Sequence, residues 1–434
     1  METEFDVCVA GAGPGGSSAS TYLARAGKSV LVLEKEVFPR FHIGESLLPY
    51  NRAIFRELGV LPAIEAAGFP RKLAAEFFLG NGSRSNRFLF RTSKFARESE
   101  AFSVERSVFD HILLKHARAC GADVREGWTV LKTAAENGGV NIEARDPEGK
   151  TRQFRAKFLI DATGRGNLTG TQEGVRVIHP RLKKLAVFGH FTDVALEKGE
   201  AAGDTIITRL ENKWFWIIPV SATKTSVGLV MDKDEFVGGP GGPVEIFQRW
   251  LASTPVVKKR MANAKLVGAM QTTSDFSYFN RRLVSPRTLR IGDAAGFMDP
   301  IFSAGVYLAM WSGKLAAEVA QKALARGDDG ARDALKFERR VRDGMQFYWQ
   351  MVEQYYTTPF MELFLQPSNH AGLSDAVNAV LAGELEGGWK FRWRLRYFFF
   401  LVKMQARRPL VPRISFDPEA VERRRSRARV PNND

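Results

Sequence analysis

The segment Gly11-Ala12-Gly13-Pro14-Gly15-Gly16 constrains the fold more than any other stretch of the chain. It follows a short apolar run, Phe5 to Ala10, and precedes Ser17 to Ala26, which is rich in small residues and helix formers and is closed by Gly27. A second apolar run, Ser29 to Leu33, ends on Glu34. Strand, glycine turn, helix and strand in that order make a parallel βαβ unit. The glycines allow a tight turn and let a pyrophosphate approach the helix N-terminus, whose free N–H groups and dipole favour an anion. Glu34 stands where it accepts hydrogen bonds from both hydroxyls of a ribose. Gly11, Gly13, Pro14, Gly16 and Glu34, with the neighbouring Lys35, are the expected dinucleotide ligands. A glycine-rich turn that binds nothing is the competing reading, and the two strands and the acidic residue count against it.

The rest of the chain bounds the class of protein. With 434 residues, 44% of them hydrophobic and 26% charged, it is long enough for two or three substructures around sizeable cores. The N-terminal Met-Glu-Thr-Glu has neither the basic start nor the cleavage site of a signal peptide. Tyr397 to Val402, the longest apolar run of the C-terminal half, is far short of a membrane span. Cys8 and Cys120 are too few for a disulfide framework, and no cluster has metal-ligand spacing. Cys8 lies among strand residues as a packed thiol. These features predict a soluble, cytoplasmic enzyme without a metal.

The net charge is +15, with much of the excess in Lys390, Arg392, Arg394 and Arg396 and in Arg423-Arg424-Arg425-Ser426-Arg427. Such runs are ordinarily solvated surface or a disordered tail. The functional alternative is attraction to an acidic partner or an anionic membrane surface. Nothing resembles a nucleic-acid module.

Further motifs return to the nucleotide domain. Glu105 to Cys120 has apolar residues at helical spacing, and Asn141 to Phe154 alternates around a turn at Asp146-Pro147-Glu148-Gly149-Lys150. Phe158-Leu159-Ile160-Asp161 ends a strand and continues as Ala162-Thr163-Gly164-Arg165. Leu289-Arg290-Ile291-Gly292-Asp293-Ala294-Ala295-Gly296 is again a strand running into a glycine turn, where Asp293 suits a ribityl hydroxyl. Arg181 to Met231 contains alternating segments that predict an antiparallel sheet.

The Asp161 and Gly292-Asp293 motifs together resemble the flavoprotein monooxygenase superfamily, and the pair there marks FAD. Three segments narrow the likeness. Phe38-Pro39-Arg40-Phe41-His42-Ile43-Gly44-Glu45-Ser46-Leu47-Leu48-Pro49 resembles the stretch after the second strand in FAD-dependent halogenases. Trp214-Phe215-Trp216-Ile217-Ile218-Pro219 resembles their W-x-W-x-I-P signature. Asp299-Pro300-Ile301-Phe302-Ser303-Ala304-Gly305-Val306 looks like the start of their flavin- and halide-facing helix. The resemblance covers roughly residues 1–330 and is closest to the phenol and pyrrole halogenases.

That resemblance implies an α/β fold: a Rossmann-type FAD-binding domain (1–65, 101–175 and 281–330), an inserted antiparallel-sheet substrate domain (66–100 and 176–280) and a helical C-terminal lobe (331–434). It implies FAD used as FADH2, supplied by a partner flavin reductase, and chloride or bromide as co-substrate. Arg40, Ser46, Arg106, Asp161, Gly292, Asp293, Gly305 and Val306 join the expected cofactor ligands. Trp214, Trp216, Pro300 and Phe302 would wall the substrate passage, and backbone N–H groups at Ser303, Ala304 and Gly305 would hold the halide. Lys72, in Lys72-Leu73-Ala74-Ala75-Glu76-Phe77, matches the family's lysine. A flavin C4a-hydroperoxide would oxidise the halide to hypohalous acid, which Lys72 would hold by hydrogen bond or as a haloamine and deliver to an electron-rich ring. The implied substrate is a small phenol or pyrrole, free or on an acyl carrier protein. Read from spacing alone, Lys72 is equally a surface lysine beside Arg71, and paired tryptophans are equally core. His42 reads as structural.

The sequence departs from the family at three places. Lys213 stands before the tryptophans in place of glycine, Ala74 replaces the glycine after the lysine, and Ala304 and Tyr307 alter the halide segment. They leave open a flavin hydroxylase that does not use halide. An isoprenoid-type flavin reductase and an FAD-binding adaptor are the more distant readings. The aromatic stretch Phe347 to Lys403 is expected to pack over the substrate domain, with contact between Trp389–Arg408 and a membrane surface or carrier as the alternative.

Overall fold

The computed structural model describes residues 4–136, 138–367 and 369–417; the arginine run 423–427 lies outside them. The chain divides into two compact units, each built from three separate stretches. Unit 1 comprises residues 1–69, 104–181 and 276–348, and unit 2 comprises 70–103, 182–275 and 349–434.

Unit 1 is built on parallel strands in the order Thr288–Arg290, Thr151–Asp161, Glu4–Ala10, Val30–Glu34 and Asp123–Glu126. Val7 to Ala10 and Val30 to Leu33 are buried at every position, as strands covered on both faces must be. The register brings the strand ends level: Ala10 lies beside Leu33 and Asp161, and Asp161 beside Arg290. Each glycine or acidic motif therefore leaves the sheet at its carboxyl edge, where open α/β sheets bind ligands. The hairpin expected around Asp146 is present. Arg145 faces Thr151, and the Asp146 carboxylate accepts the Lys150 N–H at 2.7 Å.

Helix Pro14–Arg25 follows the glycine loop and lies against helix Gly305–Arg326. Small residues allow the approach. A Cβ on Gly313 would lie 2.6 Å from the Gly15 carbonyl oxygen, and one on Gly292 would lie 2.8 Å from Ala309 Cβ. Backbones this close need glycine. Ser312 fixes the third neighbour, its hydroxyl accepting the Gly292 N–H at 3.0 Å.

Unit 2 is built on a sheet ordered Lys265–Asn280, Arg176–Thr192, Thr225–Asp232, Trp214–Pro219, Thr205–Arg209, Ala74–Leu79 and Ser85–Leu89, of which Arg176–Thr192 begins and Lys265–Asn280 ends in residues assigned to unit 1. The expected antiparallel pattern holds, with one parallel pair, Thr205–Arg209 beside Ala74–Leu79. One face packs Val187, Phe215, Ile217, Val227 and Leu229 beneath helix Pro243–Ala252, with Phe247 stacked 6.1 Å from Phe191. A two-stranded ribbon, Arg71–Lys72 with Ala101–Phe102, stands apart from the sheet.

The helical region from Ala331 is shared, with residues to Tyr348 in unit 1 and those from Trp349 in unit 2. In unit 2 the fully buried Glu362 gathers the end of the chain, accepting from Gln405 Nε2, Arg413 and the Ile414 N–H at 2.6–3.0 Å. The expectation that the C-terminal aromatics pack holds for only one face of helix Trp389–Arg407. Phe391, Leu395, Phe398 and Val402 are buried, whereas Trp389, Trp393, Tyr397 and Phe400 are exposed.

Candidate active site

The residues singled out from sequence divide between the units, the glycine, acidic and helix-start motifs in unit 1 and Lys72 with the tryptophan pair in unit 2.

In unit 1 the glycine loop fits a pyrophosphate. A Cβ on Gly11 would overlap the Ala162 carbonyl, and one on Gly16 would overlap the Gly11 carbonyl, so these two glycines shape the loop. Gly13 is different. A Cβ there meets only Arg40 Nη2, at 3.8 Å, so its outer side is open beside a cation. Arg40 is held there by Glu36 and Asp110, each at 3.0 Å. A guanidinium next to an open helix N-terminus is a phosphate-binding arrangement. Glu34 is buried, and its carboxylate accepts the Ala12 N–H at 2.7 Å and the Glu36 N–H at 2.9 Å. Each oxygen keeps a second lone pair for a ribose hydroxyl. Lys35 is exposed, with Glu36 3.9 Å away. Ser46 is buried.

Three of the residues expected at the cofactor or halide have polar groups engaged within the protein. Asp161 is fully buried, and its two oxygens accept from the N–H and hydroxyl of both Thr163 and Thr169 at 2.5–3.0 Å. Four hydrogen bonds use its lone pairs, so it orders the 162–169 loop. Arg106 has four of its five N–H donors engaged. It forms a bidentate pair with Asp110 at 2.7 and 2.8 Å and donates to the Ile43 and Gly44 carbonyls at 3.1 Å, which shapes the turn before Ser46. Ser303 donates its N–H to the Pro300 carbonyl at 2.9 Å and adopts a left-handed conformation (φ 58°), so that N–H is unavailable to a halide.

What remains at this point is the start of helix Gly305–Arg326. Its first-turn N–H groups at Gly305 and Val306 have no acceptor within the helix, which suits an anion or a carbonyl oxygen. Ala304 is the N-cap; its carbonyl accepts the Leu308 N–H at 2.9 Å. Tyr307 is buried, edge-on to Tyr50 at 6.1 Å. Phe302 is buried and Pro300 exposed. Burial raises the Asp293 carboxyl above its ordinary value, opposed by Arg165 and Arg106. Burial, with Arg106 nearby, lowers His42 to about 3, so it is neutral, and its Nδ1 lies 2.6 Å from the Ile43 carbonyl oxygen.

In unit 2 Lys72 is not a surface lysine. Its side chain is 1% exposed, with the amine 5.4 Å from the centre of the Phe90 ring. Burial lowers it to about 7, opposed by Asp204. The strand carrying it is clamped from a distant part of the chain. Asp204 Oδ1 accepts the Leu73 and Ala74 N–H groups at 3.1 and 2.8 Å, and Oδ2 accepts from Arg87 Nε at 2.8 Å. A Cβ on Gly203 would overlap the Arg71 carbonyl. No local motif marks Gly203 or Asp204, because the Asp204–Ala74 pairing spans 130 residues.

Trp214 and Trp216 lie on the same strand face with ring centres 5.8 Å apart. Trp214 Nε1 donates to Tyr356 Oη at 2.9 Å, and Trp216 Nε1 to Ser226 Oγ at 3.0 Å. Both indole N–H groups are thereby satisfied within a buried site. Lys213 turns away, pairing with Glu235 at 3.0 Å and lying 3.8 Å from the Trp250 ring centre. Ala74 is fully buried. Among the described residues no His, Cys, Asp or Glu cluster could hold a metal.

Known proteins resemble the chain over most of its length. The family described as "FAD binding domain" matches residues 4–353. A 1H-pyrrole-2-carbonyl-[peptidyl-carrier protein] chlorinase of Pseudomonas fluorescens is 30% identical over 81% of this chain and 84% of its own. The corresponding brominase of Pseudoalteromonas luteoviolacea is 31% identical over 89% of this chain and 94% of its own. The solved structure of the flavin-dependent brominase Bmp2 superimposes with a TM-score of 0.83 at 30% identity, covering 93% of this chain and 100% of that one.

Proposed function

The chain belongs to the flavin-dependent halogenases, and from that premise we propose that it transfers chlorine or bromine to an electron-rich aromatic ring through Lys72. The supporting observation is the burial of Lys72 with an amine lowered to about 7, so that about half of it is neutral at neutral pH. A neutral amine is the nucleophilic form. It attacks the halogen of hypohalous acid, giving an N–halogen bond while water leaves with the amine's proton. The ring then takes the halogen at carbon, and its displaced proton restores the amine. An ammonium could do neither.

Bound in its reduced form, FAD would supply the electrons that activate oxygen, the oxidant of the halide, and here Gly13, Arg40 and Glu34 would hold its pyrophosphate and ribose. The N–H groups of Gly305 and Val306 would receive an anion or a carbonyl oxygen at the helix start. Trp214 and Trp216 would keep the ring to be halogenated away from the oxidant. Ala74 stands where the family has glycine, and its N–H is held by Asp204. The named relatives are halogenases, and the hydroxylase reading is set aside.

Both pyrrole relatives act on a ring carried by a peptidyl carrier protein. We extend that to this chain: a phenol or pyrrole, carrier-borne or free, with reduced flavin delivered by a separate reductase. The test supplies FAD, a flavin reductase with NADH, oxygen and bromide to wild type and Lys72→Ala. Substrates would be simple phenols, pyrroles and carrier-bound pyrrole-2-carbonyl, with products followed by mass spectrometry. A bromine isotope pair from wild type alone is expected. An oxygenated product without bromine, or equal bromination by Lys72→Ala, would overturn the assignment.

A further inference from the structure

The outer face of helix Trp389–Arg407 carries a row of bare aromatic rings. Trp389 is 73% exposed, Trp393 47%, Tyr397 36% and Phe400 53%. Their spacing of four, four and three residues puts them on one face of the helix. The rings are ordered: Trp393 stacks on Tyr397 at 5.5 Å with 7° between planes, and Tyr397 on Phe400 at 6.1 Å and 17°. The helix does not need this row to hold its place. Its other face is already buried, with Phe391 6.2 Å from Phe95 and Phe398 5.6 Å from Phe360. Leu410, 50% exposed just past the helix end, adds a further apolar group.

The charge carried by the helix itself is of one sign. Lys390, Arg392, Arg396, Lys403 and Arg407 are exposed on this helix, and no Asp or Glu occurs between Trp389 and Arg413. Among the described residues, Arg396, Lys403 and Arg407 form no ion pair. At 100° per residue, Arg396 and Lys403 flank one side of the aromatic row and Lys390 the other.

Three occupants compete for such a face. A second copy of the chain would bring the same cations against these, a like-charge contact that costs stability. A folded protein partner binds best through anchors seated in pockets, and this face is a convex helix with protruding rings. A lipid surface requires no pocket. Trp and Tyr rings settle at the headgroup level, and Lys and Arg beside them reach anionic headgroups. No described helix is long and apolar enough to cross a membrane, so the contact lies in the interfacial plane.

We propose that the Trp389–Trp393–Tyr397–Phe400 face is a peripheral docking surface for an anionic lipid membrane. The test sediments the full-length, FAD-loaded protein with phosphatidylcholine vesicles and with vesicles containing 30% phosphatidylglycerol. Partitioning is expected to rise at least tenfold with the anionic lipid. The triple variant Trp389→Ser, Trp393→Ser, Phe400→Ser should lose at least tenfold, and Arg396→Glu with Lys403→Glu should abolish the preference for phosphatidylglycerol. Circular dichroism checks that the variants fold, and all five positions are exposed. Several outcomes would overturn the proposal. They are absence of vesicle binding, equal binding by the triple variant, a dimer that dissociates in that variant, and retention of an acidic carrier protein without vesicle binding.

Discussion

Gly228 stands directly opposite Trp216 in the antiparallel register, and a Cβ there would overlap the six-membered part of the indole. The same Cβ would come within 2.7 Å of Phe188 Cβ, so the indole is fixed by the absence of a side chain across the strand. Gly228→Ala is expected to cost about 1–3 kcal/mol by overpacking and to lower halogenation. The double variant with Trp216→Phe should recover part of the stability, because the smaller ring gives the methyl room. Urea unfolding of the two single variants and the double closes this cycle. Strict additivity would show that the two residues do not meet.

Lys72 gives stability a pH dependence of definite sign. Its folded-state value, about 7, lies below that of a lysine in an unfolded chain. Between the two values the unfolded chain binds more protons, so this group favours folding more as pH rises. Lys72→Met removes the titration. Its stability advantage over wild type should be largest below pH 7 and shrink by about 1.4 kcal/mol per pH unit above it. Melting curves at pH 6, 7, 8 and 9 measure this directly, and a pH-independent difference would contradict the burial.

Asp204 separates charge from hydrogen bonding. Asp204→Ala removes the acceptor for two backbone N–H groups and leaves Arg87 without its carboxylate. A loss of about 3–5 kcal/mol is expected. Asp204→Asn keeps an acceptor for Leu73 and Ala74 and should lose less. Without the carboxylate the Lys72 amine should titrate lower, so the acid limb of the pH–rate profile should move to lower pH. NMR of lysine side chains against pH, compared between wild type and Asp204→Asn, reports that shift.

Gly13 separates fold from cofactor. Its backbone (φ −63°, ψ −175°) is open to any residue, and a Cβ meets no backbone atom within 4 Å. Gly13→Ala should therefore unfold within about 0.5 kcal/mol of wild type. The methyl would nevertheless occupy the side a pyrophosphate must approach, and FAD binding should weaken more than tenfold. Gly16→Ala, whose Cβ overlaps the Gly11 carbonyl, should fail in folding itself. Flavin fluorescence titration and thermal melts, run together, distinguish the two effects.

Local motifs carried most of what sequence revealed. The glycine loop, Glu34, Asp161-Ala162-Thr163-Gly164 and Gly292-Asp293 each announce a strand ending in a turn, and the sheet places all of them at one edge. Sequence could assign Asp161 a neighbourhood but not a task, because Thr163 and Thr169 claim its oxygens only once the loop has folded. Residues acting at long range left no signal. Asp204 beneath the lysine strand, Gly228 across from Trp216 and Tyr356 at the Trp214 N–H are set by strand pairing and tertiary packing. Helical spacing grouped the C-terminal aromatics correctly but could not say which of two apolar faces is covered.

The interleaved chain path also governs how the protein can be made. Thr288–Arg290 is hydrogen-bonded to Thr151–Asp161, which leaves the ribosome more than a hundred residues earlier. At about 5–20 residues per second, roughly ten seconds pass before that edge can be paired. Throughout that interval a buried-type apolar strand offers its unpaired edge to any neighbouring chain, a standing invitation to aggregate. Yield in a foreign host is then set less by the stability of the finished enzyme than by translation speed and chaperone cover over these residues, and splitting the gene at the unit boundaries would separate strands that must pair.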